Sequence, residues 1–155
     1  MSVLDRLTAL FSGPPAQDPK PLPPADVPHA LGALLVRVAR ADDHYAFQEI
    51  SQIDRILARF QSLGPIEAAK LRAECERLET FAPQTNEFAH LLCAHVDYTS
   101  RLAMTEALWE VVYADGTAHG AEEHMMQVTR AHLAITPEDC QAARAKAIAS
   151  LPSAT

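Results

Sequence analysis

Glu110-Val111-Val112-Tyr113-Ala114-Asp115-Gly116-Thr117-Ala118-His119-Gly120-Ala121-Glu122-Glu123-His124 reads as a helix that stops, turns on Asp115-Gly116 and restarts on acidic residues. Glycine supplies the left-handed backbone that ends many helices, and carboxylates favour the positive end of the helix that follows. An earlier stretch has the same outline. Val38-Ala39-Arg40-Ala41-Asp42-Asp43-His44-Tyr45-Ala46-Phe47-Gln48-Glu49 sets Ala-Asp and then Glu at the seven-residue interval that separates Asp115 from Glu122. Helix, turn, helix in each half predicts an all-α chain.

Outward from these turns the hydrophobic period is helical throughout. Leu31, Leu34, Leu35 and Val38 lead into the first turn, and Leu102, Thr105, Leu108, Trp109 and Val112 lead into the second. Ile50, Ile53, Ile56, Leu57 and Phe60 form the stripe after the first turn, closed by Gly64-Pro65. Leu71, Cys75, Leu78 and Ala82 follow among charged residues, which describes a half-buried helix that Pro83 stops. Thr85 or Asn86 caps a helix containing Phe88, Leu91, Leu92, His95 and Val96, and this stripe is not separable by pattern from the one through Leu102. Met125, Val128, His132 and Leu133 mark the helix after the second turn. Thr136-Pro137-Glu138-Asp139 is the clearest helix start, with a Thr cap, Pro at the first position and acids at the positive end. No segment alternates in the manner of a strand, so about seven core helices are expected.

Residues 2 to 12 place Val3, Leu4, Leu7, Leu10 and Phe11 on one face of a short amphipathic helix, with Leu4, Leu7 and Phe11 as candidate partner-binding residues. Residues 13–28 hold seven of the eleven prolines and read as a stiff linker. The organisation expected is therefore 1–12 helix, 13–28 linker and 29–151 domain. The N-terminal helix has two readings, packing on its own domain or a second copy, and docking on a protein partner or the periphery of a membrane. Its single arginine gives little electrostatic pull towards a membrane.

At 155 residues the chain is long enough for one domain with a proper core. A net charge of −7 without a local Lys/Arg cluster opposes nucleic-acid binding, which rests on neutralising phosphates. Cys75, Cys93 and Cys140 are odd in number, far apart and without a Cys-x-x-Cys pair, so small buried thiols in a reducing cytoplasm are expected. No apolar run reaches the roughly 20 residues that span a bilayer, and the N-terminus has no basic export signal. No nucleophile elbow and no Gly-rich phosphate loop is present, and His90 and His95, five apart, do not share a helix face. His95, on the stripe of Leu91 and Leu92, reads as a core or interface histidine, and Trp109 and Tyr113 read as core. No catalytic constellation emerges.

A shift of 73 positions superposes Val38 on Val111, Ala41 on Ala114, Asp42 on Asp115 and Glu49 on Glu122, and one slip pairs Gly64-Pro65 with Thr136-Pro137. An internal pseudo-two-fold is expected, with the two turns near one another. Trp109-Glu110-Val111-Val112-Tyr113-Ala114-Asp115-Gly116, then His119, Glu122-Glu123 and Ile135-Thr136-Pro137-Glu138-Asp139, resembles the bacterial TerB-like family, named for tellurite-resistance proteins. Arg40-Ala41-Asp42 with His44-Tyr45 and Glu49 resembles that family's other acidic turn, although Asp43 stands where its Gly is expected. The resemblance covers residues 30 to 148. It implies a non-enzymatic all-helical domain whose acids, here Asp42, Glu49, Asp115 and Glu122, are proposed metal ligands, and a link to tellurite or metal stress.

Asp-Gly with Glu six residues after the Gly also matches the second half of an EF-hand loop. The leading oxygen ligands would fall on Val111 and Tyr113, or on Val38 and Arg40, and none is a carboxylate, so a self-contained EF-hand does not fit. Two readings stay open. In one the four acids share a divalent cation (Ca, Mg, Mn or Zn), with His44, His119 or His124 moving the preference towards Zn or Mn. In the other, Asp115, Gly116 and Glu122 are turn and cap residues, and Asp43 adopts the left-handed conformation in place of Gly.

Overall fold

The computed structural model describes residues 22–41, 43–82, 86–116 and 120–151. Its helices are α1 (Val27–Ala39), α2 (Phe47–Gln61), α3 (Pro65–Phe81), α4 (Glu87–His95), α5 (Tyr98–Val112), α6 (Gly120–His132) and α7 (Pro137–Ala149), with no strand among the described residues. The all-α expectation holds. The N-terminal helix with Leu4, Leu7 and Phe11, most of the proline-rich stretch, Pro83 and Thr85 lie outside the described residues.

Two buried helices make the centre. Every residue of α1 from His29 to Ala39 is buried, and α1 packs against α2, α3, α4, α5 and α6. A helix that is apolar nearly all round is stable only when surrounded. Its neighbour α5 buries an unbroken run from Ala107 to Val112 and packs most extensively against α7. Close approach of α1 to α3 depends on Gly32, where an added Cβ would lie 2.1 Å from the Cys75 sulfur. Burial pushes the Cys75 thiol up to about 12, so it is inert at neutral pH.

Local chemistry sets the helix boundaries. Asp26 caps α1, its Oδ1 accepting from the His29 N–H at 3.0 Å, and Pro28 sits in the first turn where a missing donor costs nothing. The helix thus starts at Val27, inside the stretch the prolines mark as linker. α4 and α5 are separate: Val96 is extended, and Asp97 caps α5 by accepting from the Ser100 N–H at 2.8 Å. Thr136 caps α7 as its sequence predicts, Oγ1 accepting from the Asp139 N–H at 3.1 Å. Gly64, at the matching place before α3, offers no side-chain cap.

Some expectations need correction. α6 turns Glu122, Met126 and Thr129 inward and leaves Val128 and His132 exposed, about one residue from the stripe read in the sequence, while Leu133 just after it is buried as expected. His95, read as core or interface, is exposed, which removes the core reading. Cys75 and Cys140 are buried, but Cys93 is only half-buried, its thiol donating to the His132 carbonyl at 3.4 Å. Trp109 and Tyr113 are core, ring centroids 6.1 Å apart, under the guanidinium of Arg144.

Candidate functional site

The chain leaves α1 and α5 in the same way. Arg40 caps α1 at φ −88°, ψ 1° and Tyr113 caps α5 at φ −95°, ψ 10°. The Ala41 N–H donates to Val38 O at 3.2 Å, and 73 residues on the Ala114 N–H donates to Val111 O at 3.1 Å. The Asp43 N–H then donates to Arg40 O at 3.1 Å, as the Gly116 N–H does to Tyr113 O at 2.9 Å. Asp43 takes φ 63° and Gly116 φ 93°, so the left-handed position falls at the same step of each turn.

Each turn feeds a helix whose third residue is a buried glutamate. Glu49 is the third residue of α2 and Glu122 the third of α6, with 3 % and 1 % of their surfaces exposed. Both stand in the positive first turn, which favours a carboxylate. Glu49 reaches back so that its Oε1 accepts from the Ala46 N–H at 3.0 Å, the carboxylate half of a capping box; Ala46 has no side-chain oxygen to complete it. Asp115 and His44 are exposed. Asp42 and His119, the other expected ligands, lie outside the described residues, and His124 is exposed on α6.

Contacts between the halves converge beside these turns. Glu110, buried in the last turn of α5, accepts from Arg59 Nη2 at 3.2 Å and from Gln52 Nε2 at 3.5 Å, both on α2. Gln52 is three residues beyond Glu49, and Glu110 five before Asp115, so α2 and the end of α5 are held side by side. A carboxylate at a helix C-terminus faces the negative end of the dipole, and Arg59 offsets that. Sequence reading missed Glu110; its signal was a lone acid within the apolar run Leu108-Trp109-Glu110-Val111-Val112. On the far side of the second turn, Arg144 donates from Nε to the Tyr113 hydroxyl at 2.7 Å and from Nη2 to Glu123 Oε1 at 2.6 Å. The first turn has its own tie, Arg40, whose guanidinium lies 5.0 Å from the Tyr45 ring centroid and whose Nη1 donates to Glu79 Oε2 at 3.3 Å.

By donor type, the two buried glutamates suit a hard cation, whose ligands are oxygens. The described residues alone do not complete such a site: no three His, Cys, Asp or Glu side chains among them form a group able to hold a metal ion. No described helix is long and apolar enough to cross a membrane.

Comparison with known proteins adds one finding. The family model described as Tellurite resistance protein TerB matches residues 29–145, from the buried start of α1 into α7. Neither the curated proteins nor the solved structures give a match.

Proposed function

The chain belongs to the TerB family, and from that premise we propose that it is a cytoplasmic, non-enzymatic binding domain that takes a divalent cation at its paired acidic turns, in a tellurite or metal-stress response. The observation that carries this reading is the burial of Glu49 and Glu122 at the same third helical position after two turns of the same backbone path. Positive charge beside a carboxylate withdrawn from water stabilises it, and a cation shared by both turns would add that stabilisation to both. Glu49 and Glu122 would be the inner ligands, with Asp42 and Asp115 contributing from the turns. The cation's chemistry there is electrostatic. It would tie the first half to the second, and its oxygen donors would select Ca, Mg or Mn over Zn unless His44 or His119 joins them.

Calorimetric titration of the purified chain with Ca, Mg, Mn and Zn tests the proposal. One of the first three should give saturable heat and raise the melting temperature. Glu49→Gln or Glu122→Gln should abolish both effects, and Asp115→Asn should weaken them. Silence from all four ions in both readouts overturns the metal reading. A second reading is favoured by the Ala46 N–H bond to Glu49, which makes the glutamates helix caps. Under it Glu49→Ala loses about 1 kcal/mol of stability, the ordinary worth of a cap, Glu49→Gln loses less because its amide oxygen still accepts from Ala46, and no ion changes the melting curve.

A further inference from the structure

At the root of the proline-rich segment, at the opposite end of α1 from the first turn, a buried histidine bridges two carboxylates. His29 is the third residue of α1 and its ring is enclosed. Nδ1 lies 2.6 Å from Asp26 Oδ1, and Nε2 lies 2.6 Å from Glu74 Oε2 on α3. Two carboxylate acceptors at hydrogen-bond distance from both ring nitrogens require both nitrogens to carry protons, which only the imidazolium does. Burial pushes the His29 pKa down, but its hydrogen bonds and charge interactions with Glu74 and Asp26 outweigh that and raise it above the ordinary 6.5.

We propose that His29 is a pH-sensitive tie between the start of α1 and α3: its charged ring clasps Asp26 and Glu74 together, and loss of the Nε2 proton releases Glu74 alone. The two contacts are unequal. Asp26 Oδ1 also accepts from the His29 backbone N–H, so the cap holds Asp26 in place and Nδ1 keeps its proton towards it. Glu74 is half exposed and can turn to water once an unprotonated Nε2 faces it. Other groups surround the pair. On α3, Cys75 beside Glu74 stays a neutral thiol, Glu76 is held by Arg72, and Lys70 and Arg77 line a recess with Glu74 and are the cations near it once the ring lets go. On α4, His95 shares a recess with Asp26, and the charged groups acting on the His29 ring are Asp26 and Glu74. Because the folded pKa is raised, the tie contributes fully below the ordinary value of 6.5 and fades as pH rises through the folded value.

Nitrogen-15 NMR titration of the histidine rings in the full chain tests this. His29 should titrate with a midpoint above 6.5. Glu74→Gln and Asp26→Asn should each lower that midpoint, while Glu76→Gln should leave it in place. Above the midpoint the neutral ring should carry its proton on Nδ1. A double-mutant cycle between His29→Gln and Glu74→Gln should show coupling a pH unit below the midpoint and lose most of it a unit above, where about nine in ten rings are neutral. A midpoint at or below 6.5 in the intact chain, a neutral ring protonated on Nε2, or coupling unchanged across the midpoint overturns the proposal.

Discussion

After α1 the chain turns through Asp43 at φ 63°, and after α5 it turns through Gly116 at φ 93°, with matching backbone hydrogen bonds in the two turns. One path is thus closed by two residues of different freedom. Glycine takes the left-handed region at no steric cost, whereas aspartate is among the few others that visit it routinely. The lesson is that spacing, and not the Ala-Asp-Gly letters, marks the two turns of like backbone path. The halves diverge similarly elsewhere. Gly32 on α1 admits Cys75 of α3, while the positions 73 and 72 residues on hold Thr105 and Ala147, both buried.

Exchanging residues between the halves separates what the fold requires from what it tolerates. Gly32→Thr brings the second half's residue into the α1–α3 seam and should cost about 3 kcal/mol by chemical denaturation, since the buried Cys75 sulfur occupies the space its Cβ needs. Adding Cys75→Ala should recover part of that loss; no recovery would mean that the clash lies elsewhere. Gly116→Ala should cost about 1 kcal/mol or more although the surrounding space is open, because the penalty is conformational. Thr136→Ala should cost about 1 kcal/mol by exposing the α7 cap, and Gly64→Ser should add a few tenths of a kcal/mol, roughly the advantage of serine over glycine as a cap. Smallest is Asp43→Gly, expected to stabilise by about 0.5 kcal/mol or less, since relief of strain is opposed by the greater freedom of glycine when unfolded. A clear loss there would show that the Asp43 side chain does more than fill the turn.

Helix existence was legible because apolar residues recur with helical period, and Pro137 after Thr136 marked a boundary to the residue. Faces were harder. In α6, Met125 and Met126 both offer apolar side chains, and the fold chooses the register that buries Glu122 and Thr129, polar residues that a pattern assigns to water. The break before α5 was hidden because Val96 continues one stripe while Asp97 caps the next helix. At the turns the acids could be read from their spacing, but not that Glu49 and Glu122 would be enclosed, or that Glu110 would meet Arg59 across 51 residues. The bridge from His29 to Glu74 spans 45 residues and left no local signature. Burial and long-range pairing are set by packing, which no single stretch of sequence encodes.

Manganese broadening of amide resonances tests the shared-cation reading most directly, because it reports which residues surround the ion. With substoichiometric Mn, the amides flanking Glu49 and those flanking Glu122 should broaden together and in proportion, and excess Mg or Ca should restore both. Broadening confined to one turn, or spread over exposed carboxylates such as Glu67 and Glu138 with both turns sharp, would contradict it.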